Sequence, residues 1–511
     1  MEMVHDTIVI GSGIGGLACA SALAKCGHRV MVLEQHYVAG GLTQTFTRKG
    51  FTWDVGVHYL GEMGPGSHER KILDWLSDGA IKMAPIGGAY DVIHFPGNFE
   101  ITFASPAEVL KMNLKEKFLH SSGEIDAFFL LLRKMAREAR APFKLRALPQ
   151  PLRWIYSLWA GGIIRKWWGK TTDEVLGEII RDQKLRSVLT AQWGDHGGRP
   201  AEGSFAMQAL IMNHFLDGAF YPAGGAGTFT DSLIPVIQNA GGEVRVKSPV
   251  KEILVTNGRA TGVRLEDGSE HHSKRVVSAT GARDTVQHLL PPHARNTAWA
   301  QEILTFKPSL CNLCLYLGFE GDIRAAGATA ANHWIYESWD TNAVIWSNPA
   351  ATDAPVLIVS FPSLKDPTHE AGEKQKHTGQ VITLVNWEVF STWEKSRHGD
   401  RPDGYRKLKQ LIEEKMLARF KHYFPEIASL IVYHELSTPL SMVHFVRRQQ
   451  GASYGLETTP RRFLSRSLCM KTPVKGLYLA GQDVVTPGII GAMLGGILAA
   501  AAIDPRIFRK L

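Results

Sequence analysis

The 511 residues include only five cysteines, Cys19, Cys26, Cys311, Cys314 and Cys469. Few, odd in number and mostly in apolar surroundings, they suit a reducing compartment and give no reason to expect disulfides. Cys311 and Cys314 form a CxxC, but inside SLCNLCLYLGF, whose apolar pattern reads as a buried strand. No second Cys or His pair at ligand spacing accompanies it, so no metal site is expected. Long apolar runs are also scarce. The nearest, PGIIGAMLGGILAAAAI from Pro487 to Ile503, is rich in Gly and Ala and short for a membrane span, and reads as a buried helix. The opening MEMVHDTIVIGSG carries no basic leader with an apolar core, so secretion is not expected and a cytoplasmic location is. Repeats and low-complexity tracts are missing too, and the length predicts two or three globular domains.

Acidic residues are sparse in one place. Between Arg133 and Lys170 there are ten Lys or Arg against the single acid Glu138, a surplus larger than the net charge of +8 for the whole chain. A basic stripe fits nucleic acid or an anionic membrane surface. Its companions decide: WIYSLWAGGIIRKWWGK places Trp154, Trp159, Trp167 and Trp168 beside Arg165, Lys166 and Lys170. Trp favours the membrane interface and cations favour lipid phosphates. The expectation is peripheral membrane association through residues 133–170, with no nucleic acid. The other reading is a tryptophan-rich core helix with solvated cations.

Thr7 to Ile10 is a short apolar strand, and Gly11-Ser12-Gly13-Ile14-Gly15-Gly16 follows it and opens a helical run. In this GxGxxG, Gly11 permits the turn, Gly13 lets backbone approach a pyrophosphate, and Gly16 lets helix pack on strand, with the helix N-terminus facing the phosphates. The next strand, HRVMVLEQ, ends at Glu34 and Gln35, and a carboxylate there suits the ribose hydroxyls of an adenosine. A second glycine pair, in Gly40-Gly41-Leu42-Thr43, precedes FTWDVGVHY, read as an alternating strand from Phe51 to Tyr59. Far downstream, Leu477 to Asp483 is a strand ending in Gly481-Gln482-Asp483, followed by a small-residue helix. The acid there suits ribityl hydroxyls, and a helix start at Gly491-Ala492-Met493 would face a flavin ring. These features favour FAD over NAD.

With these pieces the chain resembles the FAD-dependent phytoene desaturase, carotenoid isomerase and retinol saturase family. The resemblance also rests on DVGVHYLG, FYPAGGAGTFTDSLIPVIQNAGGEV, VVSATGA, STPLSMVHFVRRQQGASYGLE and GLYLAGQDVVTPGIIGAMLGG, and covers nearly the whole chain. After Asp483 the run VVTPGIIGAM departs from the HPGGG-like run usual in bacterial phytoene desaturases and is similar to the saturase and isomerase branch. The resemblance implies an α/β fold: an FAD-binding Rossmann-like domain of the glutathione reductase/amine oxidase type with a discontinuous α+β substrate domain. The flavin domain would comprise residues 1–75, 218–291 and 468–511, and the substrate and membrane-facing portion 76–217 and 292–467. It further implies that Val250 contacts the adenine through its backbone and that Ala279, Thr280 and Gly281 close over the dinucleotide. Unaided, Val250 reads as a core residue.

FAD would carry the redox chemistry and the protein would supply position, dryness and sometimes a proton. A desaturase, a saturase and an isomerase of apolar polyenes, carotenoid or retinoid, share this architecture, and the last two need a proton donor or a stabiliser of transient charge. Candidates are His58, Tyr59 and Glu62 after the flavin-side strand, with Tyr454 and His444 more remote. His58 and Tyr59 equally read as residues shaping the flavin pocket. Asp195 and His196 in QWGDHGGRP read better as a loop turn. Competing functions are an enzyme of unsaturated fatty acyl chains, an amine oxidase, whose aromatic cage is not evident, and a prenyl-lipid carrier. Carriers similar to Rab escort and GDP-dissociation inhibitor proteins usually lose the flavin glycines retained here.

Overall fold

The structure, a computed structural model, describes residues 5–139, 143, 146–147, 161–162 and 164–510. Thr7–Ile10 is fully buried and pairs in parallel with Val30–Leu33 on one side and Val276–Ser278 on the other. Glu243–Arg245 and Leu477–Leu479 complete a five-stranded parallel sheet at its two edges. Buried on both faces, such strands read as continuous apolar runs, which is why TIVI, VMVL and VVS are legible without alternation. Every residue of the following helix, Ile14–Ala24, is buried. Gly16 makes this possible, because a Cβ there would lie 2.0 Å from the Gly11 carbonyl oxygen.

The second large sheet has seven strands in the order Ile431–Ser437, Cys311–Glu320, Lys376–Val385, Val356–Ser360, Asn332–Tyr336, Ala89–Phe95 and Phe99–Ala104. All neighbours are antiparallel except Asn332–Tyr336 and Ala89–Phe95. The molecule is thus a mixed α/β fold, a parallel Rossmann-like sheet beside a mixed sheet. Strands from Val250 to His272 turn at Asn257-Gly258, where both residues have positive φ (51° and 71°), as the Asn-Gly pair requires. Cys311 and Cys314 lie near the start of the second strand of the seven-stranded sheet, both buried. Burial pushes both thiols up to about 12, and the Cys311 thiol donates to the Val385 carbonyl. Among the described residues no group of His, Cys, Asp or Glu could hold a metal ion.

Three expectations change. The strand expected from Phe51 to Tyr59 stops at Asp54. There the carboxylate accepts the Ala226 N–H at 2.9 Å and a short hydrogen bond from the Tyr221 hydroxyl, so the chain turns inward. The helix expected from Gly491 begins at Gly488 and runs to Ile503, so Met493 is buried within it, only 1% exposed.

The third concerns the tryptophans. Trp167 and Trp168 are 4% and 1% exposed, which removes both from any headgroup layer. Each indole N–H has an internal acceptor, Glu138 at 2.7 Å for Trp167 and the Ala139 carbonyl at 3.2 Å for Trp168. The Trp168 ring stands edge-on to Phe143 and packs on Phe463. Arg146 also turns inward, its guanidinium donating to the carbonyls of Phe463, Leu468 and Val484. Arg165, Lys166 and Lys170 remain exposed. Trp154 and Trp159 lie outside the described residues. No described helix is long and apolar enough to cross a membrane.

Candidate functional site

A cavity of about 780 Å³ runs along the C-terminal edge of the parallel sheet, within the ~300–1,000 Å³ usual for ligand sites. Position follows from topology, since ligands of such sheets sit beyond the carboxyl ends of the strands. Of the residues expected to hold a dinucleotide, Gly11, Gly13, Ile14, Gly15, Glu34, Gln35, Gly41, Leu42, Thr43, His58, Val250, Ala279, Thr280, Gly281, Gly481, Gln482, Asp483 and Ala492 line it. Ser12, Gly16 and Gly40 stand behind the wall. The Ser12 N–H and hydroxyl both reach one oxygen of Glu34, at 2.9 and 2.6 Å, and the Ser12 oxygen accepts the Gly40 N–H, which locks the two glycine loops together. Tyr59 and Gly491 face a different cavity and Met493 is in the core, so the structure takes these three out of the first cavity's wall.

Two observations test the fit of FAD. A Cβ built on Gly13 meets no atom within 4 Å, so the backbone there presents an open cradle at the start of a helix. The buried Nδ1 of His58 and Oδ1 of Asp284, both on residues lining the cavity, lack protein partners, the condition expected where a ligand completes the hydrogen bonding. The residues fit the group.

A second cavity, of about 440 Å³, adjoins the first, and Gly56, His58, Tyr454, Gly488 and Ile489 line both. Its wall is largely apolar, from Leu60, Phe143, Met207, Leu210, Ile211, Phe215, Val485, Ile490, Leu494 and Leu498. Arg137 and Phe143, from the start of the basic stretch, also line it.

The three catalytic candidates have different surroundings. His58 is neutral, because burial and the nearby Lys365 charge push it down to about 3. Glu62 is tied to the helix Phe205–Phe215: its carboxylate accepts His214 Nδ1–H at 3.1 Å, while His214 Nε2 accepts the Gly61 N–H at 2.8 Å. Tyr59 belongs to a buried polar cluster that spacing did not disclose. Its hydroxyl is 3.0 Å from Oδ2 of Asp91 and 3.0 Å from Oδ2 of Asp195. Asp91 also accepts N–H donors from Gln192 at 2.6 Å, Asn332 at 3.2 Å and Trp334 at 3.1 Å. Lys365 donates to the His58 carbonyl, Asn332 and Ser360, and its ammonium lies 5.4 Å from the centre of the Tyr59 ring. Burial pulls Lys365 down to about 7 against the pull of Asp91, Asp54 and Asp195, and raises Asp91 to about 6.

Asp195 lines the second cavity, at the end of the short helix Ala191–Asp195. The turn that follows it is what fixes it: His196 bonds Gln208 at 3.0 Å, and Gly197 lies against the Tyr454 ring. The turn reading of QWGDHGGRP therefore describes the support, and Asp195, which that reading set second, is an acid presented to the cavity. Asp91 carried one signal in the sequence, a lone acid inside the apolar strand Ala89–Phe95. Lys365 carried none.

A family model described as flavin containing amine oxidoreductase matches residues 14–504. The all-trans-retinol 13,14-reductase of Danio rerio is 32% identical over 526 residues, spanning 98% of this chain and 86% of that protein. The chloroplastic prolycopene isomerase of Daucus carota is 27% identical over 97% of this chain and 79% of its own length. Among solved structures, cyclohexylamine oxidase from Brevibacterium oxydans IH-35A matches with a TM-score of 0.63 at 19% identity, over 99% of this chain and all of that one, a likeness of fold alone. With its parallel sheet, its lined dinucleotide-sized cavity and a family match over almost its full length, the chain belongs to the flavin containing amine oxidoreductase family.

Proposed function

We propose that this protein is an FAD-dependent oxidoreductase that saturates a carbon–carbon double bond in an apolar polyene of retinoid or carotenoid type. The observation that carries the reading is the meeting of the two cavities at His58 and Tyr454, which sets a largely apolar chamber against the place a flavin ring would take. Similarity to a retinol reductase over nearly the whole chain supports it. Bound FAD supplies hydride transfer at its ring. Glu34 would hold the adenosine ribose, Gly13 and the helix behind it the pyrophosphate, and Asp483 the ribityl chain. Leu210, Phe215, Ile490 and Leu494 would keep water from the polyene, since apolar surface gains about 25 cal/mol per Å² on leaving water.

Substrate would reach the chamber from the side of Arg137 and Phe143, next to the basic stretch. This supports peripheral association with an anionic membrane, through exposed Arg165 and Lys166 and not through Trp167 or Trp168. Similarity to a prolycopene isomerase favours one second reading, cis–trans isomerisation in the same chamber.

The amine and polyene readings separate in one anaerobic spectral experiment. Photoreduced holoenzyme is expected to regain its oxidised flavin spectrum on addition of all-trans-retinol or a cis-carotene. Oxidised holoenzyme is expected to keep its spectrum with putrescine or cyclohexylamine. Bleaching by the amines, with no response to any polyene, would replace this reading with an amine oxidase.

A further inference from the structure

A hydroxyl has one hydrogen to donate, yet the Tyr59 hydroxyl stands 3.0 Å from each of two carboxyl oxygens. It donates to one of them, and the other must bring its own proton, or two sets of lone pairs face each other in a buried site. The remaining contacts decide which is which. Asp91 is 0% exposed and receives N–H donors from Gln192, Asn332 and Trp334, so with Tyr59 both its oxygens are filled by donors, as an ionised carboxylate requires. Asp195, at the cavity wall, has no such set of donors in its hydrogen bonding and accepts or donates only at Tyr59 among the contacts that define this cluster.

We infer that Asp195 is the proton donor of this site: a neutral carboxylic acid, held through Tyr59 to ionised Asp91, that delivers its proton to a polyene carbon in the second cavity. The delivery rests on the proposed saturase reading; the protonated state rests on the geometry alone. Saturating a double bond adds a hydride to one carbon and a proton to its neighbour. The hydride comes from reduced flavin. The proton comes from Asp195: its O–H turns from the Tyr59 oxygen into the cavity and breaks, a C–H bond forms with the electron pair released from the π bond, and the Asp195 carboxylate left behind regains a proton from solvent. Burial, reinforced by the charge of Asp91, raises Asp195 to about 8, the direction the hydrogen bonding demands. The groups facing it are Tyr59, Asp91, Lys365, Tyr336 and Tyr454, with His58 neutral nearby. Of these Lys365 and Asp91 also titrate near neutrality: an amine has no carbonyl band, and Asp91, raised only to about 6, loses its carboxylic-acid band at lower pH than Asp195 does.

The test is infrared spectroscopy of the holoenzyme through a pH titration, joined to single-turnover reoxidation of the photoreduced enzyme by all-trans-retinol. Wild type should show a carboxylic-acid carbonyl band that shifts in deuterated water and disappears as pH rises through about 8. Asp195→Asn, checked for retained flavin and circular dichroism, should lack that band and reoxidise on the order of 100- to 10,000-fold more slowly. In wild type the reoxidation rate should fall in parallel with the band. A wild-type enzyme with no band lost near pH 8, or a band lost near 8 that persists in Asp195→Asn, would overturn the protonated acid, and the wild-type titration decides this even should the variant not fold. Normal reoxidation by Asp195→Asn would overturn its role as donor. A wild-type enzyme that shows the band but turns over no polyene would overturn the proposed reaction, and the delivery with it, while leaving the protonated acid in place.

Discussion

Gly13→Val is expected to yield a folded protein that has lost its flavin. A Cβ at this position meets no protein atom within 4 Å, and the backbone, at φ −59° and ψ 167°, suits an ordinary residue. The fold therefore has no objection to a side chain here. The cavity does, because the added methyl groups would stand where the backbone must approach a pyrophosphate. FAD affinity is expected to drop at least ~100-fold, about 2.7 kcal/mol, with the melting of the apoprotein little changed. Gly16→Val makes the contrast. Its Cβ would sit 2.0 Å from the Gly11 oxygen, so this variant should lose folded protein as well as flavin. Equilibrium dialysis with FAD and melting of the apoproteins read both effects. A yellow Gly13→Val enzyme of unchanged affinity would mean that the phosphates do not pass over this turn.

Trp168→Ala is expected to destabilise the protein by about 3–5 kcal/mol, the usual cost of emptying a large aromatic site in a core. The ring is 1% exposed, packed between Phe143 and Phe463, with its N–H on the Ala139 carbonyl. Exchanging Arg165 and Lys166 for Ser, on the exposed side of the same segment, should leave the melt within ~0.5 kcal/mol of wild type, as surface substitutions do. Denaturation followed by near-ultraviolet circular dichroism makes the comparison. A Trp168→Ala protein as stable as wild type would place the ring outside the core. Loss of liposome binding in a Trp168 variant would in any case report unfolding before it reported an anchor, so membrane association is better tested with the exposed cations.

What could be read in advance follows from how local each feature is. The strand Thr7–Ile10, the glycine turn and the helix Ile14–Ala24 are contiguous, and each glycine answers to a neighbour a few residues away, as Gly16 does to Gly11. The small-residue helix Gly488–Ile503 was legible for the same reason: composition alone distinguishes a buried helix from a span. The tryptophans were not. Trp beside Arg and Lys signals a membrane interface only when the rings are free, and Phe463, which covers Trp168, is hundreds of residues away. The acid cluster was equally hidden, since Asp91 and Asp195 lie 32 and 136 residues from Tyr59, and no spacing rule brings them together. The second sheet brings in Asp91, beside Asn332 and Trp334 on the neighbouring strand, and the short helix Ala191–Asp195 brings in Asp195. Asp195, read as part of a turn, stands at the wall of the second cavity, so a turn and a cavity-lining acid share one segment.

Saturation of an apolar polyene by the proposed enzyme is decided by the mass of the product formed when photoreduced holoenzyme is incubated anaerobically with retinoids, cis-carotenes and unsaturated fatty acids. A retinoid or carotene product heavier by a pair of hydrogens is expected, formed in step with flavin reoxidation. Flavin that stays reduced with every retinoid and carotene, or a polyene product of unchanged mass, would contradict it.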